Sequence, residues 1–455
     1  MSSAILELND LGLRLFADGA IVADSPGFAT ITRKQEFFGA ESEARVKMLP
    51  TFTSYHFWDG LSQDLLEHPN RLATTRADLA YLHLQSLLAD QPALVNLTLL
   101  VPGDVGKDQL ALLLGIISHL GKTVPAVVDG AIAACQRPCP GQRLMHLDLH
   151  LHRAVLSELD QGQELSLEQA FTTTEVGMLR IREAWSDAIT RLFVQATRFD
   201  PQHEAAVEQQ LYDKLGSWIN DMQQDGIIEA ELNQDELRFA TRLNLDVLLS
   251  ASKPLYRRLL DFISDHLPAE QPITLAVSHR IAALPGLLAQ LEALPNVSLQ
   301  LLTEDAALTG AAELLNRELP QSDGVPLVRS KAWFDQSNIE QHSEALADYQ
   351  RQAPSHVLYQ DRAYPVTNGG VWVGSDAGAT ITIDPGIKNI QQRHLQLRRD
   401  EQRVVLINAP DAQTRLNRHP VEKPMELGIG DRIAIGDPES ELLLITIVED
   451  PGEPA

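Results

Sequence analysis

Cysteine and positive charge are both scarce in this 455-residue chain. The two cysteines, Cys135 and Cys139 in CQRPC, are too few for a disulfide framework, and a lone pair lacks the second half of a zinc site. With 62 acidic against 37 basic residues, the net charge of -25 repels nucleic acid and anionic membrane surfaces. The sequence therefore excludes nucleic acid as the main partner.

Long apolar runs are also missing from the chain. No run of eighteen apolar residues occurs, and the opening MSSAILELND has no basic region followed by an apolar core. We therefore expect neither export nor membrane insertion, and we expect a cytoplasmic location. The length and the 44% hydrophobic content predict a globular protein of two or three domains.

The stretch MHLDLHLHR, residues 145–153, alternates leucines with polar residues. Successive side chains of a strand point to opposite faces, so we expect the leucines in a core and the polar set on the other face. One interpretation of the polar set is a zinc site formed by His146, His150 and His152. The other is a polar strand face that meets solvent or a neighbouring loop.

The chain divides into three parts by pattern. From residue 1 to about 316, strands alternate with helical leucine periodicity, which predicts an α/β fold. Residues 317–355 are polar and irregular, and we interpret them as a linker. Residues 356–455 contain short strands separated by Gly, Pro, Asp and Asn, which predicts a small all-β sandwich.

Several stretches of the first part carry a family resemblance. LELNDLGLRL looks like a phosphate-binding hairpin through Asp10, Leu11 and Gly12, and VVDGAIAA looks like a connecting segment with Asp129 before an alanine-rich helix. The histidine strand lies where a second phosphate hairpin belongs, with Asp148 at its acidic position. LTLLVPGDVGKDQLALLLGIISHLG and LAVSHRIAALPGL occupy the places of two further family segments.

The order of these stretches resembles the actin, sugar kinase and heat-shock chaperone superfamily, and most nearly the nucleotide-binding domain of seventy-kilodalton heat-shock chaperones. The resemblance implies a two-lobed actin-like ATPase fold with ATP and Mg²⁺ as ligands. Asp10, Asp129 and Asp148 would then serve the magnesium ion. The nucleotide-facing candidates it implies are Asp10, Gly12, His150, His152, Ser278 and His279.

The chain departs from that family where phosphate-binding glycines belong. Glycines let backbone amides close on phosphate oxygens, but this sequence has His150, Leu151, His152 and Arg153 after the acidic strand. We therefore expect a narrowed cleft and a scaffold that binds nucleotide weakly or not at all, with no enzymatic activity. The alternative is a divergent ATPase that keeps the three aspartates for Mg²⁺ and binds phosphate through His150, His152 and Arg153.

The last part, residues about 356 to 450, resembles a forkhead-associated domain, which reads phosphothreonine through its loops. GGVWVGSDAGATITID, IKNIQQRHLQLRRDEQRVVLIN and MELGIGDRIAIGD carry this resemblance. Ser375 replaces the phosphate-binding Arg and Gln391 replaces the Ser, while the framework residue His394 is retained. The resemblance implies a docking surface formed by Ser375, Arg393, His394, Asn417 and Arg418, on which Arg393, Arg415 or Arg418 substitutes for the missing Arg.

Together these features favour a bacterial-type cytoplasmic scaffold or adaptor that lacks enzymatic activity. Its expected partners are other proteins, phosphorylated ones included, and we expect no cofactor. The competing hypothesis is a chaperone-like ATPase that uses ATP and Mg²⁺.

Overall fold

The computed structural model describes residues 2–139, 141–267, 271–315 and 324–332, and residues 354–445 except 361, 368, 377, 384–385, 401–402, 411, 417–418, 422, 429–430 and 437–439. The chain forms two compact units, Met1–Trp333 and Phe334–Ala455. No helix in the described ranges is long and apolar enough to cross a membrane.

The first unit mixes strands and helices along the chain. Its strands are β1 (Ser2–Glu7), β2 (Leu13–Ala17), β3 (Ala20–Ser25), β4 (Ala29–Ile31), β5 (Glu36–Phe38), β6 (Thr53–Ser54), β7 (Leu94–Val101), β8 (Val127–Asp129), β9 (Arg143–Leu149), β10 (Ala154–Gln161), β11 (Glu164–Thr173), β12 (Ile227–Gln234), β13 (Leu237–Asn244), β14 (Ile273–Val277), β15 (Val297–Leu301), β16 (Leu327–Val328) and β17 (Ser330–Ala332). Its α-helices are α1 (Ala40–Glu43), α2 (Arg76–Leu87), α3 (Lys107–His119), α4 (Gly130–Ala134), α5 (Met178–Thr197), α6 (Ala205–Asp225), α7 (Leu245–His266), α8 (His279–Ala282), α9 (Leu287–Glu292) and α10 (Ala306–Leu315). Short 3-10 turns lie at Pro50–Phe52 and Pro201–His203. The α/β class predicted for this part is confirmed.

Two six-stranded sheets organise the first unit, and five strands of each share one order, while the sixth strands, β16 and β17, add at different edges. The first has the order β16-β8-β7-β1-β2-β3 and the second the order β15-β14-β9-β10-β11-β17. In each, three consecutive strands form an antiparallel meander, and two later strands add in parallel beside the first of the three. The equivalent strands of the two sheets are therefore β1 and β9.

The first unit extends past the residue at which we placed the linker. Strand β16 pairs with β8, and β17 pairs with β11, so residues 327–332 belong to the two sheets and not to a linker that starts at 317. These strands contain two and three residues. Segments of this length carry too little apolar alternation to be recognised from sequence.

The predicted histidine strand is present as β9, but it ends at Leu149. The backbone then turns, with His150 N donating to Arg153 O at 2.8 Å, and returns as β10. Leu147, Leu149 and Leu151 are fully buried, as predicted. The opposite face of β9 is not open to solvent, because His146 and His150 are buried as well.

The turns after β1 and after β9 meet at the centre of the unit. Asn9 Nδ2 donates to Leu149 O at 3.1 Å, and Leu151 N donates to Asp10 Oδ1 at 2.8 Å. Gly12 closes the first turn by donating to Asn9 O at 3.0 Å. The two equivalent hairpins of the two sheets thus present their acidic residues to one another.

The described part of the second unit contains strands and no helix. Its strands are β18 (His356–Tyr359), β19 (Arg362–Pro365), β20 (Val371–Gly374), β21 (Ile381–Thr382), β22 (Leu395–Asp400), β23 (Arg403–Asn408), β24 (Thr414–Leu416), β25 (His419–Pro420), β26 (Met425–Leu427), β27 (Arg432–Ile435) and β28 (Ser440–Ile445). They form two sheets, of order β19-β18-β28-β27-β24-β25 and β21-β20-β22-β23-β26, whose apolar residues share one core. The prediction of an all-β C-terminal part is confirmed.

Candidate functional site

Asp10, in the turn after β1, is buried and negatively charged. Its Oδ1 accepts from Leu151 N at 2.8 Å and lies 3.5 Å from His150 Nδ1. Burial opposes ionisation, but the His150 imidazole outweighs it and holds the pKa of Asp10 at about 2. Within the described residues its Oδ2 has no hydrogen-bond partner.

Asp148, on β9, faces Asp10 across the meeting point of the two hairpins. Its Oδ2 accepts from Asn9 Nδ2 at 3.1 Å and from Arg280 Nη1 at 3.5 Å. Burial raises the pKa of this carboxyl, but the Arg280 guanidinium outweighs burial and holds the pKa well below its usual range. The acid expected to bind magnesium is thus paired with an arginine of its own chain.

Asp129, the third candidate acid, caps a helix. Its Oδ1 accepts from Ala131 N at 2.9 Å and from Ile132 N at 3.2 Å, as the N-cap residue of α4. The side chain is fully buried, and burial raises its pKa to about 6. No described residue hydrogen-bonds its Oδ2.

A buried ion-pair network links the two sheets beside Asp148. Arg14 Nε donates to Glu7 Oε2 at 2.8 Å, and Arg280 Nη2 donates to Glu7 Oε1 at 3.0 Å. Glu7, Arg14 and Arg280 are 7%, 2% and 8% exposed. Arg14 also donates to Glu304 O at 3.0 Å, so one cluster of charges spans β1, β2, α8 and the residues after β15.

Glu7 and Arg280 were not singled out from the sequence. Glu7 and Arg14 are register partners across β1 and β2, and two opposite charges in an apolar hairpin are a signal that was available. Arg280 gave no local signal, because its partner Glu7 lies 273 positions earlier in the chain.

The space that remains beside this network is small. A cavity of about 50 Å³ is lined by residues that include Asn9, His146, Asp148, Ser278 and Arg280. A water molecule occupies about 30 Å³, whereas pockets for small-molecule ligands are about 300–1,000 Å³. A cavity of this size accommodates one or two waters.

The remaining cleft candidates are engaged in local structure. Ser278 caps α8, and its Oγ accepts from Ile281 N at 3.5 Å. Burial lowers the pKa of the adjacent His279 to about 4, so the His279 ring is neutral. Arg153, considered for phosphate, donates to Asp104 from Nε at 2.7 Å and from Nη2 at 3.3 Å. Gly12 lies under Asp24, whose Oδ1 is 2.5 Å from the position of an added Cβ.

The three histidines proposed as an alternative zinc site are not assembled. Their donor atoms do not form a ligand group among the described residues, because β9 ends at Leu149 and the turn directs His152 away from His146 and His150. His152 instead donates from Nε2 to Tyr55 O at 2.8 Å, and its ring stacks on His56 with 3.8 Å between centroids. His146 remains within β9, beside Asp148.

The docking candidates of the second unit lie around the loops after β20 and before β22. Ser375 is exposed, and its N donates to Gln391 O at 3.0 Å. Arg393 is also exposed, and its guanidinium carbon lies 5.1 Å from the centroid of the Trp372 ring. Asn417 and Arg418 lie outside the described residues.

His394 supports this loop from inside the sandwich. It is fully buried, accepts from Gln391 N at Nδ1 at 3.3 Å and donates from Nε2 to Gln413 O at 3.2 Å. Burial lowers the pKa of His394, so the ring is neutral and one nitrogen accepts while the other donates. The ring joins the loop before β22 to the residue before β24.

Comparison with known proteins identifies one family in the chain. No curated protein matches it. A family model described as FHA domain matches residues 371–436, a range that includes Ser375, Arg393 and His394. The second unit of this protein therefore contains a forkhead-associated domain.

Proposed function

We propose that this protein is a non-enzymatic cytoplasmic scaffold or adaptor. Its first unit would be a degenerate chaperone-type ATPase domain with an actin-like fold, and its forkhead-associated domain would dock partner proteins. The observation that carries the proposal is the buried network of Glu7, Arg14, Arg280 and Asp148, which occupies the meeting point of the two hairpins.

The topology of the first unit supports the actin-like part of the proposal. Two sheets whose first five strands share one order place equivalent hairpins, after β1 and after β9, opposite each other. An aspartate stands in each hairpin, Asp10 in one and Asp148 in the other. This arrangement is what the resemblance to the superfamily implies for a nucleotide cleft.

The loss of nucleotide binding is supported by charge and by space. Asp148 is already neutralised by Arg280, and Asp129 is used as a helix cap. A triphosphate would have to displace a guanidinium buried between two carboxylates, and separating buried, hydrogen-bonded charges costs about 3–5 kcal/mol. The cavity of about 50 Å³ offers no room without that displacement.

A specific observation favours the alternative, a divergent ATPase. Asp10 Oδ2 and Asp129 Oδ2 are both buried with no hydrogen-bond partner among the described residues. Carboxylate oxygens left in this way are the groups that a hydrated Mg²⁺ ion would satisfy. In this alternative, Asp10, Asp129 and Asp148 hold the ion for ATP, and Arg280 moves away when nucleotide enters.

Calorimetric titration of the full chain with ATP and Mg²⁺ separates the two proposals. The scaffold proposal predicts no binding in the micromolar range for the native chain and no change for Asp148→Ala. Micromolar binding that disappears in Asp148→Ala would establish the ATPase alternative instead. An Asp305→Ala variant, changed at an exposed acid whose Oδ1 accepts from Thr303 Oγ1 at 2.8 Å, serves as the matched control.

The docking role rests on the forkhead-associated domain. Domains of this family recognise phosphorylated proteins, and Arg393 is an exposed cation in the matched range, two residues after Gln391, whose carbonyl oxygen accepts from Ser375 N. Because Ser375 replaces the usual Arg, we propose that Arg393 supplies the charge-assisted hydrogen bonds to a phosphate group.

A further inference from the structure

We propose that His56, Asp59 and His152 bind a divalent transition-metal ion of the zinc class. The site lies where the segment after β6 meets the turn between β9 and β10, outside the cavity beside Arg280. It is independent of the scaffold function proposed above. An ion at this point would link the segment after β6 to the hairpin between β9 and β10.

The donor atoms already stand at metal-site spacing. His56 Nδ1 lies 3.2 Å from Asp59 Oδ2, and one donor atom from each of the three residues lies within 4.8 Å of the other two. Atoms bound about 2.1 Å from one zinc ion at tetrahedral angles lie roughly 3.4 Å apart. The His56–Asp59 pair therefore needs little change, and His152 closes the set by a small shift.

The tautomer of His152 is the one that a ligand needs. Its Nε2 contacts the Tyr55 carbonyl oxygen at 2.8 Å, and a carbonyl only accepts, so Nε2 carries the proton. The lone pair is therefore on Nδ1. Metal-binding histidines commonly donate their second ring nitrogen to a backbone carbonyl in this way, which fixes the ring's orientation.

Asp59 also offers the ion a carboxylate oxygen that the fold leaves available. Asp59 Oδ1 is buried and has no hydrogen-bond partner among the described residues.

The donor set selects the class of ion. Two imidazoles with one carboxylate suit Zn²⁺ and its neighbours, whereas Mg²⁺ and Ca²⁺ prefer oxygen ligands. The His56 side chain is 60% exposed, so solvent reaches the site and can supply a fourth ligand. The ring of Tyr55 lies 5.8 Å from that of His152 and 5.2 Å from that of His56, so an aromatic side chain packs against both histidines.

The test uses the full chain, stripped with a chelator and titrated calorimetrically with Zn²⁺. We expect one zinc ion per chain, confirmed by elemental analysis after dialysis. His56→Ala and Asp59→Asn should each weaken zinc binding by at least about tenfold, because each removes a ligand. His203→Ala, changed at an exposed histidine on another segment, should bind zinc like the native chain.

Two results would overturn the proposal. One is a native chain that binds no more zinc than a double variant in which both His56 and His203 are changed to Ala. The other is equal zinc affinity in His56→Ala and the native chain, which would leave the stacked rings of His56 and His152 as packing only. Because His56 is exposed, its variant is expected to fold, and circular dichroism of each variant checks this.

Discussion

Arg280 contacts Glu7 and Asp148 at the same time, so its removal leaves two carboxylates in a buried space. We expect Arg280→Ala to lower the free energy of unfolding by about 3–5 kcal/mol, the range for breaking a buried ion pair from one side. Urea denaturation followed by tryptophan fluorescence measures this, since Trp185 and Trp218 are buried in the same unit.

The matched control for that change is Arg258→Ala. Arg258 pairs with Glu175 at 3.8 Å on the surface, and both side chains are more than half exposed. An exposed pair of this kind contributes between about 0 and 1 kcal/mol. Equal losses in the two variants would contradict the buried role of Arg280.

Asp129 gives a prediction with a defined pH dependence. Its pKa in the folded protein is raised to about 6 from 3.8, so its ionisation destabilises the fold. The stabilisation by the protonated carboxyl is complete below about pH 4. It is lost as the pH rises through about 6, which lowers the free energy of unfolding by roughly 3 kcal/mol. Asp129→Asn keeps an oxygen to cap α4 and removes the charge.

We therefore expect Asp129→Asn to raise the free energy of unfolding by about 1–3 kcal/mol at pH 8 and to change it little at pH 4. Asp129→Ala loses the cap as well, at a cost of about 1 kcal/mol, and should be less stable than Asp129→Asn at both pH values. Urea denaturation at the two pH values measures this. A lower stability of Asp129→Asn at pH 8 would show that the negative charge is satisfied in the folded protein.

At the scale of elements, the turn after β9 depends on the start of α5. Met178 N donates to His150 O at 3.0 Å, and Leu179 N donates to Leu151 O at 3.0 Å. Gly177 makes this approach possible, because an added Cβ would lie 2.5 Å from the His152 carbonyl carbon. The helix start thus holds the turn that carries His150 and His152.

We expect Gly177→Ala to lower the free energy of unfolding by about 1–3 kcal/mol, since the atoms nearest to the added Cβ belong to the backbone and must shift. Gly216→Ala is the control: Gly216 lies inside α6, with no atom within 4 Å of an added Cβ. Alanine there should stabilise by about 0.5–1 kcal/mol. Thermal denaturation of the two variants checks the opposite signs.

The elements show how far the sequence could be used to predict this fold. Strand β9 was predictable because Leu147 and Leu149 alternate with polar residues, but its polar face does not meet solvent: Arg280 contacts Asp148, and His146 is buried. The end of β9 at Leu149 was not predictable, since the alternation continues to His152 while the backbone turns. Tertiary contacts to α5 decide where the strand stops.

The candidate site likewise contains residues that the sequence could place and partners that it could not. The family resemblance placed Asp10 and Asp148 in two corresponding hairpins, and it placed Asp129 before a helix, which the structure has as α4. The partners that neutralise or bury them, Arg280 above all, come from distant segments and leave no periodic signal. The grouping of His56 with His152 is of the same kind, since they are joined only by the fold.

For the whole molecule, the net charge of -25 sets a condition on any partner. An acidic protein repels phosphorylated peptides at long range, so recognition of phosphate has to come from arginines at the docking surface. Arg393 is the residue that we propose for this role, and it is exposed and lies over Trp372 within the range that the forkhead-associated family model matches. Long-range repulsion also weakens as salt screens it.

Long-range repulsion and local attraction by Arg393 together give a prediction for the full chain. We expect a phosphothreonine peptide library to show enrichment over its unphosphorylated counterpart, and Arg393→Ala to reduce the affinity of selected peptides by about tenfold or more, because a charge-assisted hydrogen bond is lost. Arg403→Ala is the control, since Arg403 is exposed in the same domain and pairs with Glu426 at 3.5 Å.

Fluorescence anisotropy at low and at physiological salt measures both variants. Equal affinity for phosphorylated and unphosphorylated peptides would mean that this domain docks its partners without reading phosphate, and equal losses in the two variants would mean that Arg393 acts only through general charge.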